Sequence, residues 1–302
     1  MTARHVLAAL GLSLLTLQCT TSTVPVLTRH TVESDGHPMA VWSKAAAAPV
    51  GTILLLHGRT WSALPDFDLQ VQGEDLSLMD GLVAAGYAVY AVDLRGYGST
   101  PRDDTGWLSP GRAADDVINI LEWLTAQTST EAPILFGWSL GSMVAQLTVQ
   151  RRPDLVSSVV FFGYPFSPGT TIPEVADPEQ PSRTPNTREA AASDFIVEGA
   201  ISRAAKEAYV AAALAADPVR VDWNRLHEWM ELSPARVTVP TLVLHGEFDP
   251  LASTDAQAAL FMQLGTFDKE WVVVPGGDHA AFLESPRPYF LAALADFVSR
   301  PR

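Results

Sequence analysis

Ser139 lies in Gly137-Trp138-Ser139-Leu140-Gly141, a G-x-S-x-G run between the apolar stretch Ile134-Leu135-Phe136 and a second apolar stretch at 143–147. A serine hydroxyl is a weak nucleophile at neutral pH and needs an adjacent base to take its proton. Taken alone the run is only moderately specific. A strand before it and a helix after it supply the context, because a sharp strand-to-helix turn exposes the hydroxyl. A helix starting there also aims backbone N–H groups and the positive end of its dipole at negative charge developing nearby. The competing reading is a tight turn with no chemistry, and the partners decide between them.

The candidate base is His279, in Pro275-Gly276-Gly277-Asp278-His279-Ala280, directly after an apolar run. Imidazole titrates near neutrality, which suits proton transfer. It needs a carboxylate to hold its tautomer and stabilise the imidazolium. Asp249, in His245-Gly246-Glu247-Phe248-Asp249-Pro250, is the candidate, with Glu247 and Asp278 as rivals. Asp278 adjoins the histidine in sequence, which makes the required geometry awkward. Of the other histidines, His245 reads as packed, His227 as a surface residue within reach of substrate, His30 and His37 as solvated, and His57 as structural.

Attack on a carbonyl creates an oxyanion that needs donors aimed at it in advance. The backbone N–H of Leu140 is one candidate. That of Arg59, in His57-Gly58-Arg59-Thr60, is the other; its guanidinium has the alternative of pairing with a carboxylate. Trp61, Trp138, Trp223 and Trp229 are candidates to line an apolar substrate site, with ordinary packing as the alternative. The stretch from Trp61 to Asp68 also carries Asp66 beside aromatics. These two acids read either as solvated loop carboxylates or as a site for a cationic substrate group.

The elements that must position these groups alternate short apolar runs with longer helical ones, which predicts an α/β fold with a mostly parallel sheet. Strands are expected at 24–32 and 39–42 around Asp35-Gly36, then at 52–56, 88–93, 134–138, 156–162, 241–245 and 270–274. Helices are expected at 76–85, 113–125, 140–150, 255–264 and 289–299. Residues 164–236 break this rhythm with a Pro/Thr/Ser-rich loop at 164–185, an alanine-rich helical stretch at 188–216 and a short helix at 223–232. The expected organisation is a leader at 1–23, a first core segment at 24–163, a helical lid at 164–236 and a second core segment at 237–302. Such an insert sits over the C-terminal strand edge, where open α/β sheets bind ligands.

Composition narrows the function classes. Of 302 residues, 47% are hydrophobic and 18% charged, which excludes intrinsic disorder. Setting 20 Lys and Arg against 34 Asp and Glu gives a net charge of −14, which opposes nucleic-acid binding. A single cysteine, Cys19, excludes an internal disulfide framework and a Cys-clustered metal site. Arg4, His5 and the apolar run at 6–17 read as a signal peptide, the run being too short to span a membrane. Cys19 followed by the Thr/Ser tract at 20–23 resembles a bacterial lipoprotein signal, although Leu17 and Gln18 stand where small residues usually precede the cysteine. The expected location is periplasmic or membrane-anchored through a lipidated Cys19, or otherwise secreted.

His57-Gly58 after one strand, Asp93-Leu94-Arg95-Gly96-Tyr97-Gly98-Ser99 after the next, the 137–141 turn, Gly246 with Asp249, and Gly277 with His279 together resemble the α/β-hydrolase superfamily. They are most similar to its esterase/lipase-like branch with a helical lid, over residues 25 to 300. The resemblance implies a mostly parallel eight-stranded sheet flanked by helices, with a helical cap inserted after the sixth strand. It implies a Ser139–Asp249–His279 triad that cleaves a small-molecule carboxylic ester or lactone through an acyl-enzyme, with no cofactor and no metal. A His-Gly-Gly-Gly loop is lacking, and serine stands where haloalkane dehalogenases and epoxide hydrolases carry aspartate. The same triad serves thioester, amide or carbon–carbon bond hydrolysis, acyl transfer and cofactor-free haloperoxidase chemistry, and the fold also serves as a non-catalytic surface binding protein. The expected partner is a small-molecule ester, with no nucleic acid and with membrane contact only through Cys19. The oligomeric state is not legible.

Overall fold

The computed structural model describes residues 25–128, 132–167 and 169–300. The expected leader at 1–23, with Cys19, lies outside the described residues. The chain opens with β1 (Thr28–Ser34) and β2 (His37–Ala45), an antiparallel hairpin. Its turn residues Asp35 and Gly36 both have positive φ, 50° and 75°, as a two-residue hairpin turn requires. There follow β3 (Thr52–Leu56), α1 (Ala63–Phe67), α2 (Leu78–Ala84), β4 (Ala88–Val92), the two-residue β5 (Trp107–Leu108), α3 (Pro110–Thr128), β6 (Ile134–Trp138), α4 (Leu140–Arg151) and β7 (Ser158–Phe162). After these come α5 (Arg188–Ala192), α6 (Arg203–Ala216), the two-residue β8 (Asp222–Trp223), β9 (Thr241–Gly246), α7 (Thr254–Gln263), β10 (Lys269–Val274) and α8 (Arg287–Val298).

Eight strands form one sheet in the order β1-β2-β4-β3-β6-β7-β9-β10. Pairing is antiparallel through β1, β2 and β4 and parallel from β4 to β10. Every residue of β3, β6, β7 and β9 is buried, as expected for strands covered on both faces. Alternation divides them between two cores. Ile53, Leu55, Phe136 and Phe162 pack with α2, α8 and Phe282 on one face. Leu54, Leu56, Leu135 and Phe161 pack with α3 and α4 on the other. β4 follows β3 on one side and β6 lies on the other, so the connections diverge at β3 and open a crevice at the C-terminal strand ends.

The segment between β7, the sixth strand of this sheet in chain order, and β9 departs from expectation in detail. The alanine-rich stretch at 188–216 is two helices rather than one. Between them the backbone N–H groups of Ile196 and Val197 donate to the Asp278 carboxylate at 2.6 and 2.7 Å, so a tertiary contact overrides alanine's helical preference. Ser202 then caps α6 by accepting from the Ala205 N–H. The helix expected at 223–232 is also absent in that form. Asp222–Trp223 pairs with β5, and a 3-10 turn runs from Leu226 to Glu231 after Arg225 at φ 49°. No described helix is long and apolar enough to cross a membrane.

Candidate active site

β6 ends at Trp138 and α4 begins at Leu140, which leaves Ser139 between them at φ 54°, ψ −123°. For a residue with a side chain this backbone costs about 1–3 kcal/mol and persists only where the surroundings impose it. Here the Ser139 N–H donates to the Phe162 carbonyl at 2.9 Å, and the Ser142 N–H donates to the Ser139 carbonyl at 2.9 Å. The two flanking glycines permit the packing. A methyl on Gly141 would overlap the Leu56 and His57 carbonyls, and one on Gly137 would overlap the backbone of Gly141.

His279 and Asp249 sit on loops that follow neighbouring parallel strands, paired to the register Val274↔Gly246. His279 Nδ1 donates to Asp249 Oδ2 at 2.8 Å. Asp249 Oδ1 accepts from the N–H groups of Leu251 and Ala252 at 2.9 and 3.1 Å, so both carboxylate oxygens are fixed. Nε2 is left as the ring nitrogen available to the cavity that His279 lines together with Ser139. Trp138 Nε1 donates to the His279 carbonyl at 2.8 Å, tying the serine turn to the histidine loop. Behind the pair, Gly163 has φ +58°, and a methyl on it would stand 3.1 Å from the imidazole and 3.2 Å from Asp249 Oδ2.

The rival acids are engaged elsewhere. Glu247 Oε2 accepts from the Gly276 N–H at 2.9 Å, and Asp278 holds Ile196 and Val197 as described. His57 is structural, as expected: Leu94 N–H donates to its Nε2 and its Nδ1 donates to the Gly58 carbonyl. Burial pushes its pKa down to about 4, so it stays neutral. His245 is buried and donates from Nδ1 to the Gly246 carbonyl. His227 lies 4.0 Å from Glu174. The reading of His30 and His37 as merely solvated is corrected. His30 shares a 2.8 Å hydrogen bond with Ser43 and lies against the rings of Tyr90 and Trp123, and His37 donates to the Pro101 carbonyl.

A cavity of about 490 Å³ opens over Ser139 and His279. Leu140, Arg59 and all four expected tryptophans, Trp61, Trp138, Trp223 and Trp229, line it. The alternative in which Arg59 pairs with a carboxylate finds no ion pair among the described residues, and the residue is exposed. Asp66 and Asp68 do not line the cavity, which corrects their reading both as solvated and as substrate-facing. Asp68 is buried against Lys44 Nζ at 2.6 Å. Asp66 is fully buried and accepts from the Tyr209 hydroxyl at 2.9 Å; that burial raises its pKa well above the ordinary carboxylate value. Asp194, Arg220 and Met143 line the cavity without having been singled out in the sequence. Burial raises the Asp194 pKa to about 6, and the nearby Asp278 carboxylate adds to the shift. No group of three or more His, Cys, Asp or Glu among the described residues is placed to hold a metal ion.

Comparison with known proteins agrees with this architecture. The sequence profile of the family described as serine aminopeptidase, S33, matches residues 47–286. Among solved structures, a serine hydrolase from the polyaromatic hydrocarbon-degrading bacterium Cycloclasticus zankles superposes with a TM-score of 0.69 at 15% identity, covering 90% of this chain and 98% of its own. The 2-hydroxy-6-oxo-6-phenylhexa-2,4-dienoate hydrolase of Rhodococcus sp. strain RHA1 gives 0.67 at 18% identity, covering 91% and 100%. Epoxide hydrolase A of Mycobacterium thermoresistibile gives 0.67 at 18% identity, covering 90% and 98%. At these identities the likeness is one of fold. No curated protein matches the chain in sequence. The profile match spans well over half of the 302 residues, and the chain belongs to the serine aminopeptidase, S33, family, as a serine hydrolase of the α/β-hydrolase superfamily.

Proposed function

We propose that the protein is a carboxylesterase that cleaves a small-molecule ester or lactone through an acyl-enzyme on Ser139. The observation that carries this reading is the pairing of a strained Ser139 with a histidine whose Nδ1 proton is committed to Asp249. As the Ser139 Oγ–carbon bond forms, the hydroxyl proton passes to His279 Nε2 and the carbonyl electron pair moves onto oxygen. The N–H groups of Leu140 and Arg59 receive that oxyanion, a donor of this kind being worth about 3 kcal/mol. Collapse breaks the bond to the alcohol oxygen, which takes the proton from Nε2. Water, deprotonated by the same nitrogen, then releases the acid and restores Ser139. Asp249 orients the ring throughout.

The four tryptophans supply an apolar site for the acyl or alcohol group, and the 164–236 segment acts as the lid that carries two of them. Residues 1–23 direct export, with Cys19 as a lipidation site. A second reading, amide cleavage by the same triad, is favoured by the description of the family profile. Turnover of p-nitrophenyl esters of graded acyl length, alongside lactones, thioesters and aminoacyl anilides, tests the proposal. Ester hydrolysis that disappears in Ser139→Ala is the expected result; hydrolysis surviving that substitution, or confined to anilides, overturns it. Fluorophosphonate labelling of Ser139 separates a catalyst from a binding protein on the same fold.

A further inference from the structure

The cavity mouth carries two guanidinium groups that the mechanism leaves unused. Arg59 and Arg220 both line it and both are exposed. The ion pairs among the described residues engage Arg95, Arg102, Arg112, Arg151, Arg152, Arg188, Arg225, Arg287 and Arg300. Neither Arg59 nor Arg220 is among them. Arg29, Arg183, Arg203 and Arg236 also lie outside these pairs; what sets Arg59 and Arg220 apart is that both line the cavity over Ser139 and His279.

Their placement brings them together. Arg220 Nη2 donates to Thr60 Oγ1 at 3.1 Å, and Thr60, the residue after Arg59, is held at φ 100°. The Arg59 charge acts on Tyr97, whose hydroxyl accepts from Trp223 Nε1 at 2.9 Å. Arg59, Thr60, Arg220 and Trp223 line the same cavity, and the buried Tyr97 is tied to it through Trp223. The acid of the same cavity, Asp194, acts on His279, Trp61 and Tyr209 instead. The two guanidinium groups thus lie on the Thr60–Trp223 side, where the buried Asp217 carboxylate is already held by the Ser62 and Gly98 N–H groups, and Asp194 lies toward the histidine.

We infer that the substrate is an ester carrying a free carboxylate, docked on Arg59 and Arg220 while its ester group lies at Ser139. The planar fork of arginine matches a carboxylate with two parallel hydrogen bonds. Asp194 repels that carboxylate from the histidine end, so the two charges set the orientation of the substrate. Trp223 and Trp229, stacked at 5.9 Å, cover the apolar segment between the ends. A half-ester of a dicarboxylic acid is the simplest compound of this form. This inference rests on the ester-hydrolase reading above and adds the charge of the substrate.

The test compares kcat/KM for the p-nitrophenyl half-ester of glutaric acid with that for neutral p-nitrophenyl valerate. For Arg220→Gln, the ratio of half-ester to neutral ester falls about fivefold, the weight of an exposed ion pair worth about 1 kcal/mol, and Arg220→Lys recovers part of it. Raising the salt concentration lowers the ratio in the wild type and lowers it less in Arg220→Gln, where only Arg59 remains, since exposed charges are screened. The same ratio measured for Arg59→Gln falls in parallel. Circular dichroism shows whether each variant is folded. A ratio that is unchanged in folded Arg220→Gln, or insensitive to salt in the wild type, overturns the carboxylate site. Loss of both activities in the wild type, or their persistence in Ser139→Ala, would count against the esterase reading instead, so the two failures are distinguishable.

Discussion

The cavity has two walls of different construction. Ser139, Leu140, Asp249 and His279 stand on the ends of β6, β9 and β10, where parallel register and backbone hydrogen bonds place them. Asp194, Arg220, Trp223 and Trp229 stand on the segment between β7 and β9, which is moored to the core by side-chain carboxylates taking backbone N–H groups. Asp278 holds Ile196 and Val197, Asp217 holds Ser62 and Gly98, and Glu228 holds Gly111. A wall built on sheet ends changes shape only if the sheet does. A wall moored at a few points tolerates change in the chain between its moorings. The contrast assigns the chemical step to the first wall and, apart from Arg59 on the loop after β3, the choice of substrate to the second.

The largest effects are expected on the sheet wall. Ser139→Ala lowers kcat for a p-nitrophenyl ester by at least about 10⁴-fold with little change in the melting midpoint. Asp249→Asn comes next, at about 10²–10⁴-fold in kcat, because the amide oxygen stays with the Leu251 and Ala252 N–H groups and the amide nitrogen donates to Nδ1, which holds His279 in the wrong tautomer. If Trp223 or Trp229 substitutions reduce kcat as severely as these, the assignment of chemistry to one wall fails.

Gly163→Ala sharpens the same point without touching a reacting atom. A methyl at φ +58° and 3.1 Å from the imidazole forces the His279–Asp249 pair to shift. The expected loss is about 10- to 100-fold in kcat with KM nearly constant, since about 1 Å of misplacement is worth that much. Equal changes in kcat and KM would show that the substitution disturbs binding instead.

How much of each wall was legible in the sequence follows from how it is built. Ser139, Asp249 and His279 each follow an apolar strand directly, so periodicity and turn residues locate them. The sheet order across β3 and β6 needs only the alternation of strands and helices. Asp194 gives no such signal, because Ser193-Asp194-Phe195 reads as part of an alanine-rich helix. Its turn exists because Asp278, far along the chain, captures the N–H groups of Ile196 and Val197. Gly163 is similarly silent; only the folded register brings it behind the imidazole. Asp66 and Asp68 misled for the converse reason, since the partners that bury them, Tyr209 and Lys44, lie far off in sequence.

On the moored wall the effects should be smaller and fall on binding. Leu226 is 38% exposed and lines the cavity. Leu226→Ala is expected to raise KM for a hexanoyl or octanoyl ester about three- to fivefold, the weight of about 1 kcal/mol of apolar contact, with kcat within twofold. Steady-state kinetics across acyl lengths checks it, and a fall in kcat without a change in KM would contradict the division of labour.

The smallest expected effect probes the joint between the walls. Glu284 is 4% exposed, and the group it faces at close range is Asp278. Burial, and after it the charge of Asp278, raise its pKa from 4.5 to about 8. The opposing cation, Lys206 on α6, only moderates this. Between those values the unfolded chain has released a proton that the folded chain retains, so stability declines as pH rises from about 4.5 to about 8. Ionised Glu284 also repels Asp278, the carboxylate that moors the 193–202 turn. Glu284→Gln removes the titration, so its melting midpoint should match the wild type near pH 4.5 and exceed it by about 3–6 °C at pH 8. An advantage of equal size at both pH values would mean that the glutamine packs better rather than that a buried proton is involved. If the mooring does depend on that proton, proteolysis within 193–202 should accelerate between pH 7 and pH 9 in the wild type and stay constant in the variant.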